Sequence, residues 1–231
     1  MNMNAAKIST VSHPSGIPLE LITSTVKVTK VKTRVLWMNS ASLQPFFDQV
    51  LNCTGISLTI TEKHQVEEML KVKTLRRRQF FLQEGDICKH MGFILNGAMR
   101  MYSINEDGQE NVLSFGIEHN WMIDQESFIL LSPSRYHIEA LEDTQLLLIS
   151  QAQLQFLASE IPLIGQMMQI IHSQHLIYTQ KRIHAAISMT AEERYLDLLK
   201  SQPIYSQRFP QNMIASYLGI KPETLSRLRK K

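Results

Sequence analysis

The hydrophobic positions change their period along the chain, and each change predicts a different element. Between Ser42 and Lys73 they recur at helical spacing, as one stripe of Leu43, Phe46, Phe47, Val50 and Leu51 and a second of Val66, Met69, Leu70 and Val72. Two helices are expected, the second opening at Thr61-Glu62-Lys63-His64. From Leu75 to Ile149 the period falls to two, with turn residues at short intervals. Asn96-Gly97 and Glu106-Asp107-Gly108 predict tight hairpins. Strands are expected around Phe80–Leu82, Phe93–Leu95, Met99–Ile104, Val112–Phe115, Tyr136–Ala140 and Gln145–Ile149. Short strands joined in this way imply a sandwich or a small barrel.

Helical spacing returns from Ser150 to Ser188, broken only at Pro162. Ile164, Met168 and Ile171 make one stripe, and Met167, Ile170 and Ile177 another. One stripe can cover the barrel. The second needs a further partner: a counterpart helix in a symmetric dimer, or else burial of this one helix within a monomer. Thr190-Ala191-Glu192-Glu193 reads as a capping box, opening a helix with Tyr195, Leu196, Leu198 and Leu199 inward. Ser201-Gln202-Pro203 is expected to end it.

The last stretch, Phe209 to Lys231, reads as helix, glycine turn, helix. Met213, Ile214, Tyr217 and Leu218 give the first helix one apolar side, and Gly219 stands where it should stop. Pro222 suits the first position of the second helix, where a missing N–H costs nothing. Leu225 and Leu228 turn that helix inward, and Glu223, Arg227 and Lys231, four apart, share an outward face. That is the chemistry of a major-groove reader: arginine pairs with guanine O6 and N7, and glutamate accepts from cytosine N4. Thr224 and Ser226 suit phosphate or base-edge contact, and Arg229, Lys230 and Lys231 suit the backbone charge.

The segment Ala215-Ser216-Tyr217-Leu218-Gly219-Ile220-Lys221-Pro222-Glu223-Thr224-Leu225-Ser226-Arg227 resembles the helix-turn-helix of the Crp/Fnr family of bacterial transcription regulators. Gln83-Glu84-Gly85-Asp86 followed by Phe93-Ile94-Leu95-Asn96-Gly97 is similar to the opening of that family's β-roll, so the likeness runs from about Leu75 to the C-terminus. The resemblance implies base-reading roles for Glu223 and Arg227 and a homodimer on two-fold-related double-stranded DNA. Lys221-Pro222 departs from the pattern, where members often carry a small hydroxyl and an arginine, and this weakens the helix cap.

The same resemblance tests for a nucleotide. Cyclic-nucleotide-binding members carry Phe-Gly-Glu-Leu/Ile-Ala-Leu and then a phosphate-holding arginine. The matching region here, Trp121 to Phe128, has no glycine, and the arginine's position falls on Ser134, with Arg135 one place late. A one-residue slip in a strand turns the side chain to the other face. Cyclic AMP is therefore disfavoured, which leaves open a small effector of other chemistry; Asp124, Glu126 and Arg135 are the candidate contacts.

Composition narrows the class. The 231 residues are 44% hydrophobic and 19% charged, ordinary values for a soluble globular chain. Five cations against Glu20 give residues 1–37 a charge of +4, so of the total of +3 the remainder carries −1. Whole-chain charge is thus a poor guide, and the C-terminal cluster is the informative one. Two cysteines, Cys53 and Cys88, suit a reducing cytoplasm and fall short of the four-cysteine iron–sulfur set of one family branch. No run approaches a membrane helix or a secretory signal. His172 and His175 share a helical face, but no catalytic set, metal spacing or phosphate loop accompanies them. Arg76-Arg77-Arg78 is a basic run at a strand's entrance.

These readings converge on an α+β, non-enzymatic, cofactor-free cytoplasmic regulator. Residues 1–37 are expected to be an unstructured extension, 38–160 a β-roll sensor with flanking helices, 161–188 a dimerisation helix and 189–231 a DNA-binding unit. The competing reading is a ligand-binding or protein-interaction module with no DNA role. It gives no reason for Glu223 and Arg227 to face outward beside a basic tail.

Overall fold

A computed structural model describes residues 40–230. The expected unstructured extension at 1–37, and Lys231 of the candidate DNA-binding set, lie outside the described residues. The first helix, α1 (Ser40–Thr54), buries Leu43, Phe46, Phe47 and Val50 at the i, i+3, i+4, i+7 spacing, while Leu51 falls off the stripe and is exposed. The second, α2 (Ile60–Met69), starts earlier than Thr61. Thr59 is its N-cap: its hydroxyl accepts from the Glu62 N–H, and the Glu62 carboxylate accepts from the Thr59 N–H.

Eight strands follow: β1 (Lys71–Leu75), β2 (Phe80–Leu82), β3 (His90–Asn96), β4 (Met99–Ile104), β5 (Glu110–Gly116), β6 (Trp121–Met122), β7 (His137–Ala140) and β8 (Thr144–Ser150). Val72 belongs to β1 and is exposed, so it is no part of the helical stripe expected for it. The strands form two four-stranded antiparallel sheets, ordered β1-β8-β3-β6 and β2-β7-β4-β5. The short helix α3 (Gln125–Leu130) sits between β6 and β7.

The glycine at 97 does not close a hairpin. β3 pairs with β8 and β6, whereas β4 pairs with β5 and β7, so Asn96-Gly97 carries the chain from one sheet to the other. Glycine is needed all the same. Its φ is +104°, and a Cβ there would lie 2.4 Å from Thr144 Oγ1. The second expected turn does join β4 to β5, closed by hydrogen bonds between Asn105 and Gln109.

Two helices come next, α4 (Gln151–Glu160) and α5 (Pro162–Ser188), separated where Pro162 takes the first position of the second. Ile164, Met167 and Met168 anchor the start of α5 in the sensor core. Its later residues Leu176, Ile177, Ile183 and Ile187 stay exposed. The chain ends in α6 (Ala191–Ser201), α7 (Pro203–Arg208), α8 (Gln211–Leu218) and α9 (Pro222–Leu228). Thr190 and Glu193 form the expected capping box of α6, but Leu196 points to solvent, 57% exposed, while Tyr195 and Leu198 are buried. Pro203 ends α6 and also starts α7, which no hydrophobic period announced.

Two apolar clusters hold the fold. One fills the sensor and its flanking helices. The other joins α6 to α9 with Ala98, Tyr102, Val112 and Phe115, so the C-terminal helices share a core with one face of the second sheet.

Candidate nucleic-acid interface

Helix α8 ends as the glycine pattern predicts. Gly219 adopts φ +65°, and the Ile220 N–H reaches back to the Ala215 carbonyl at 3.0 Å, which satisfies an otherwise orphaned carbonyl of the last turn. The chain then turns into α9, where Pro222 sits at the first position and Lys221 offers no side-chain cap. Leu225, 1% exposed, pins α9 to the second core, with Leu228 half-buried beside it. With that side fixed, Glu223, Ser226, Arg227, Arg229 and Lys230 are exposed, and Thr224 is half-buried. Glu223 and Arg227 make no ion pair with each other or with any other described residue. Among the described residues, no side-chain partner takes up their polar atoms.

Five contacts between distant parts of the chain hold α8 and α9 in place. Ser216 on α8 docks on the edge strand β5: its hydroxyl accepts from the Val112 N–H at 2.9 Å and donates to the Glu110 carbonyl at 2.9 Å. Phe209 stacks on Phe115, ring centroids 4.0 Å apart. Arg182 of α5 bonds the carbonyls of Leu113 and Tyr217 and lies 4.1 Å over the Tyr217 ring. The Tyr178 and Tyr217 hydroxyls also bond, and burial pushes the Tyr217 phenol up.

The fifth contact is a charge clamp. Arg208, at the end of α7, reaches both carboxylate oxygens of Glu118 and both of Glu142, with three of the four bonds at 2.7 to 2.8 Å. Glu118 also accepts from the Gly97 N–H at 2.8 Å. The Arg208 bonds, helped by Gly97 and opposed by partial burial, hold the Glu118 carboxyl at about 2. Ser216, Arg182, Tyr217 and Arg208 carry no mark of a positioning role in the sequence. Their partners lie 35 to 106 positions away, and no local period marks such pairs.

The candidate effector residues divide. Asp124 is 4% exposed and turned inward. One of its oxygens caps α3 through the Ser127 N–H, and the other accepts from the Ser134 hydroxyl at 2.6 Å. Glu126 and Arg135 meet instead as an exposed ion pair, at 2.9 Å. With Asp124 engaged inside and Arg135 held on the surface, the three make no shared cradle. Ser134, where the resemblance puts the cassette's arginine, is thus bonded to Asp124.

An open cleft of about 460 Å³ lies elsewhere, between α1 and α5, with Asp48, Gln49, Cys53, His119 and Gln174 among its walls. Cys88 is buried, and burial raises its thiol. Among the described residues no group of three or more His, Cys, Asp or Glu could hold a metal, and no helix is long and apolar enough to cross a membrane.

The described residues thus build a β-roll of two antiparallel sheets, a long helix exposed over its second half, and a terminal helix-turn-helix. Residues 72–160 match the cyclic nucleotide-binding domain family. The transcriptional activator protein Anr of Pseudomonas aeruginosa is 23% identical over 192 residues, covering 76% of each chain. The structure of FixK2 from Bradyrhizobium japonicum aligns with a TM-score of 0.60 at 18% identity, covering 70% of this chain and 83% of that one. The catabolite activator protein of Thermus thermophilus aligns at 0.51 and 17% identity, over 79% and 85%. Over about three quarters of its length the chain is thus similar to a transcriptional activator, and its fold is that of the solved regulators aligned with it.

Proposed function

We propose that the protein regulates transcription as a homodimer that reads a two-fold-related operator, each copy of α9 entering a major groove. The observation that carries this is the face of α9: Leu225 is buried on one side, and Glu223 and Arg227 stand exposed and unpaired on the other. Arg227 reads guanine, Glu223 reads cytosine, and Thr224 and Ser226 serve base edges or phosphates. Arg229, Lys230 and Lys231 supply phosphate contacts.

Residues 38–160 then serve as sensor, 161–188 as the dimer seam and 189–231 as reader. Leu176, Ile183 and Ile187, spaced by seven and four along α5 and 56–79% exposed, supply an apolar edge for a second copy. In such a dimer the two readers lie about one helical turn, ~34 Å, apart. Any effector is a small molecule other than cyclic AMP, because Asp124 and Ser134 satisfy each other where a cyclic phosphate would need a glycine cradle and an arginine. The protein acts in the cytoplasm, without catalysis of its own.

Selection of bound duplexes from a randomised DNA pool tests the reading. Arg227→Ala should lower affinity for the selected operator by about 1–3 kcal/mol and relax preference at one base pair, whereas Lys230→Ala should weaken all sequences alike. Operator binding unchanged in Arg227→Ala refutes the role given to that side chain.

A further inference from the structure

We propose that two copies of α5 together hold a transition-metal dication, Zn²⁺ above all, through His172 and His175 of each chain; this rests on the dimer proposed above. Two faces of α5 can be told apart. Ile164, Met167 and Met168 are buried in the sensor core, and Tyr178 and Arg182 are bonded to the C-terminal helices, so that side is taken. Gln169, His172, Leu176, Thr179 and Ile183 follow one another at alternating intervals of three and four, and all five are exposed. That is the spacing of an a/d seam, and in a parallel pair related by a two-fold axis each such position meets its own copy. His172 therefore stands on the seam, with Leu176 and Ile183 supplying apolar layers beyond it. His175 lies one turn further on, at the seam's edge on the sensor side.

Histidines three apart on a helix present their rings from neighbouring turns of one side, so both can reach a single ion. Here the rings sit close: partial burial, and then the nearness of His172, hold the His175 imidazole below its ordinary value. Neither ring has a hydrogen bond or ion pair with another described residue, whereas His64 is paired with Glu67 and His137 with Glu84. One chain offers two ligands, too few for a closed site, and among its described residues no larger metal-ligating group exists. The two-fold axis doubles the pair to four imidazoles, the coordination number of a tetrahedral zinc site.

The ligand chemistry selects the ion. The 27 residues of α5 include no Asp or Glu, so the helix offers the ion nitrogen and no carboxylate. Imidazole suits zinc, copper and nickel, whereas calcium and magnesium take oxygen ligands. Gln169, exposed one turn before His172, offers an amide oxygen to the second N–H of an imidazole, the kind of outer partner that metal-bound histidines use. With half its ligands on each chain, the ion binds the dimer and not the monomer, and so favours assembly by mass action.

The test uses the untagged full chain, stripped of metal with a chelator. Zinc chloride is titrated against a competing chromophoric chelator, and assembly is followed by sedimentation equilibrium. Wild type should take up one zinc per dimer, and saturating zinc should lower the dimer dissociation constant at least about tenfold. Cobalt(II) in place of zinc should give the visible absorption of a tetrahedral site. His172→Asn and His175→Asn should keep the wild-type helix content by circular dichroism, and each should lose more than the roughly tenfold in zinc affinity that removal of an outer partner costs. His184→Asn, on the same helix but off the seam, should bind zinc as wild type does. Zinc held equally well by His172→Asn, or taken up at one per chain with no change in assembly, overturns the site. A dimer that forms without zinc and binds none overturns the site and leaves the dimer standing. A chain that stays monomeric with and without zinc overturns both.

Discussion

Removing the clamp between Arg208 and its two glutamates should cost stability in a way that depends on pH. Arg208 makes four hydrogen bonds to Glu118 and Glu142, and Glu118 is held at about 2 against an ordinary 4.5. At ~1.4 kcal/mol per pH decade, that difference corresponds to at most about 3.5 kcal/mol. The side chains of Glu118 and Glu142 are 30% and 39% exposed, so water and salt screen part of it, and about 1–2 kcal/mol is the realistic figure. Because the folded carboxyl titrates below the unfolded one, this contribution is complete above about 4.5 and is lost as pH falls towards about 2. A double-mutant cycle with Arg208→Met and Glu118→Gln, followed by urea unfolding, measures it. The coupling should be about 1–2 kcal/mol at pH 7 in low salt and should shrink both in 1 M salt and between pH 4.5 and 3. A coupling near zero at pH 7, or one indifferent to pH and salt, refutes the assignment of the clamp as an ionic tie between reader and sensor.

Two further outcomes follow from the same geometry. Gly97→Ala should destabilise by about 2–4 kcal/mol by thermal or urea unfolding, combining a positive φ with a Cβ placed 2.4 to 2.7 Å from Thr144 and Asp143. A wild-type melting curve would mean that the crossing between sheets is looser than described. Leu176→Glu combined with Ile183→Glu should raise the dissociation constant of the proposed dimer about 100-fold or more in sedimentation equilibrium, since each buried aliphatic side chain contributes about 1.5–3 kcal/mol. An unchanged dimer would move the seam off this face of α5.

The terminal reader was legible because its signals are local. Gly219 stops a helix, Pro222 starts one, and Leu225 at helical spacing fixes which side chains face out; all three act within one or two turns of chain. The capping box at Thr190 and the break at Pro162 are of the same kind. The β-roll was legible as a class, since alternation and turn residues mark strands. Its pairing was not. Asn96-Gly97 has the composition of a hairpin, yet the chain there changes sheets, because Gly97 is packed against Thr144, some fifty residues away.

By itself the sequence determined most of the longer helices and strands, the stops at Pro162 and Gly219, and that an acid and an arginine share the outer side of the last helix; it did not announce β1, β6, α3 or α7. Only the tertiary structure decided which strands pair, that Asp124 faces inward while Arg135 stays at the surface, and that the reader shares a core with the second sheet. The physical reason is range. Helix stops and faces depend on φ, side-chain shape and spacing within a few residues, whereas Ser216 on β5 and Arg208 on Glu118 join groups about a hundred positions apart, and their energy exists only after the chain has brought them together.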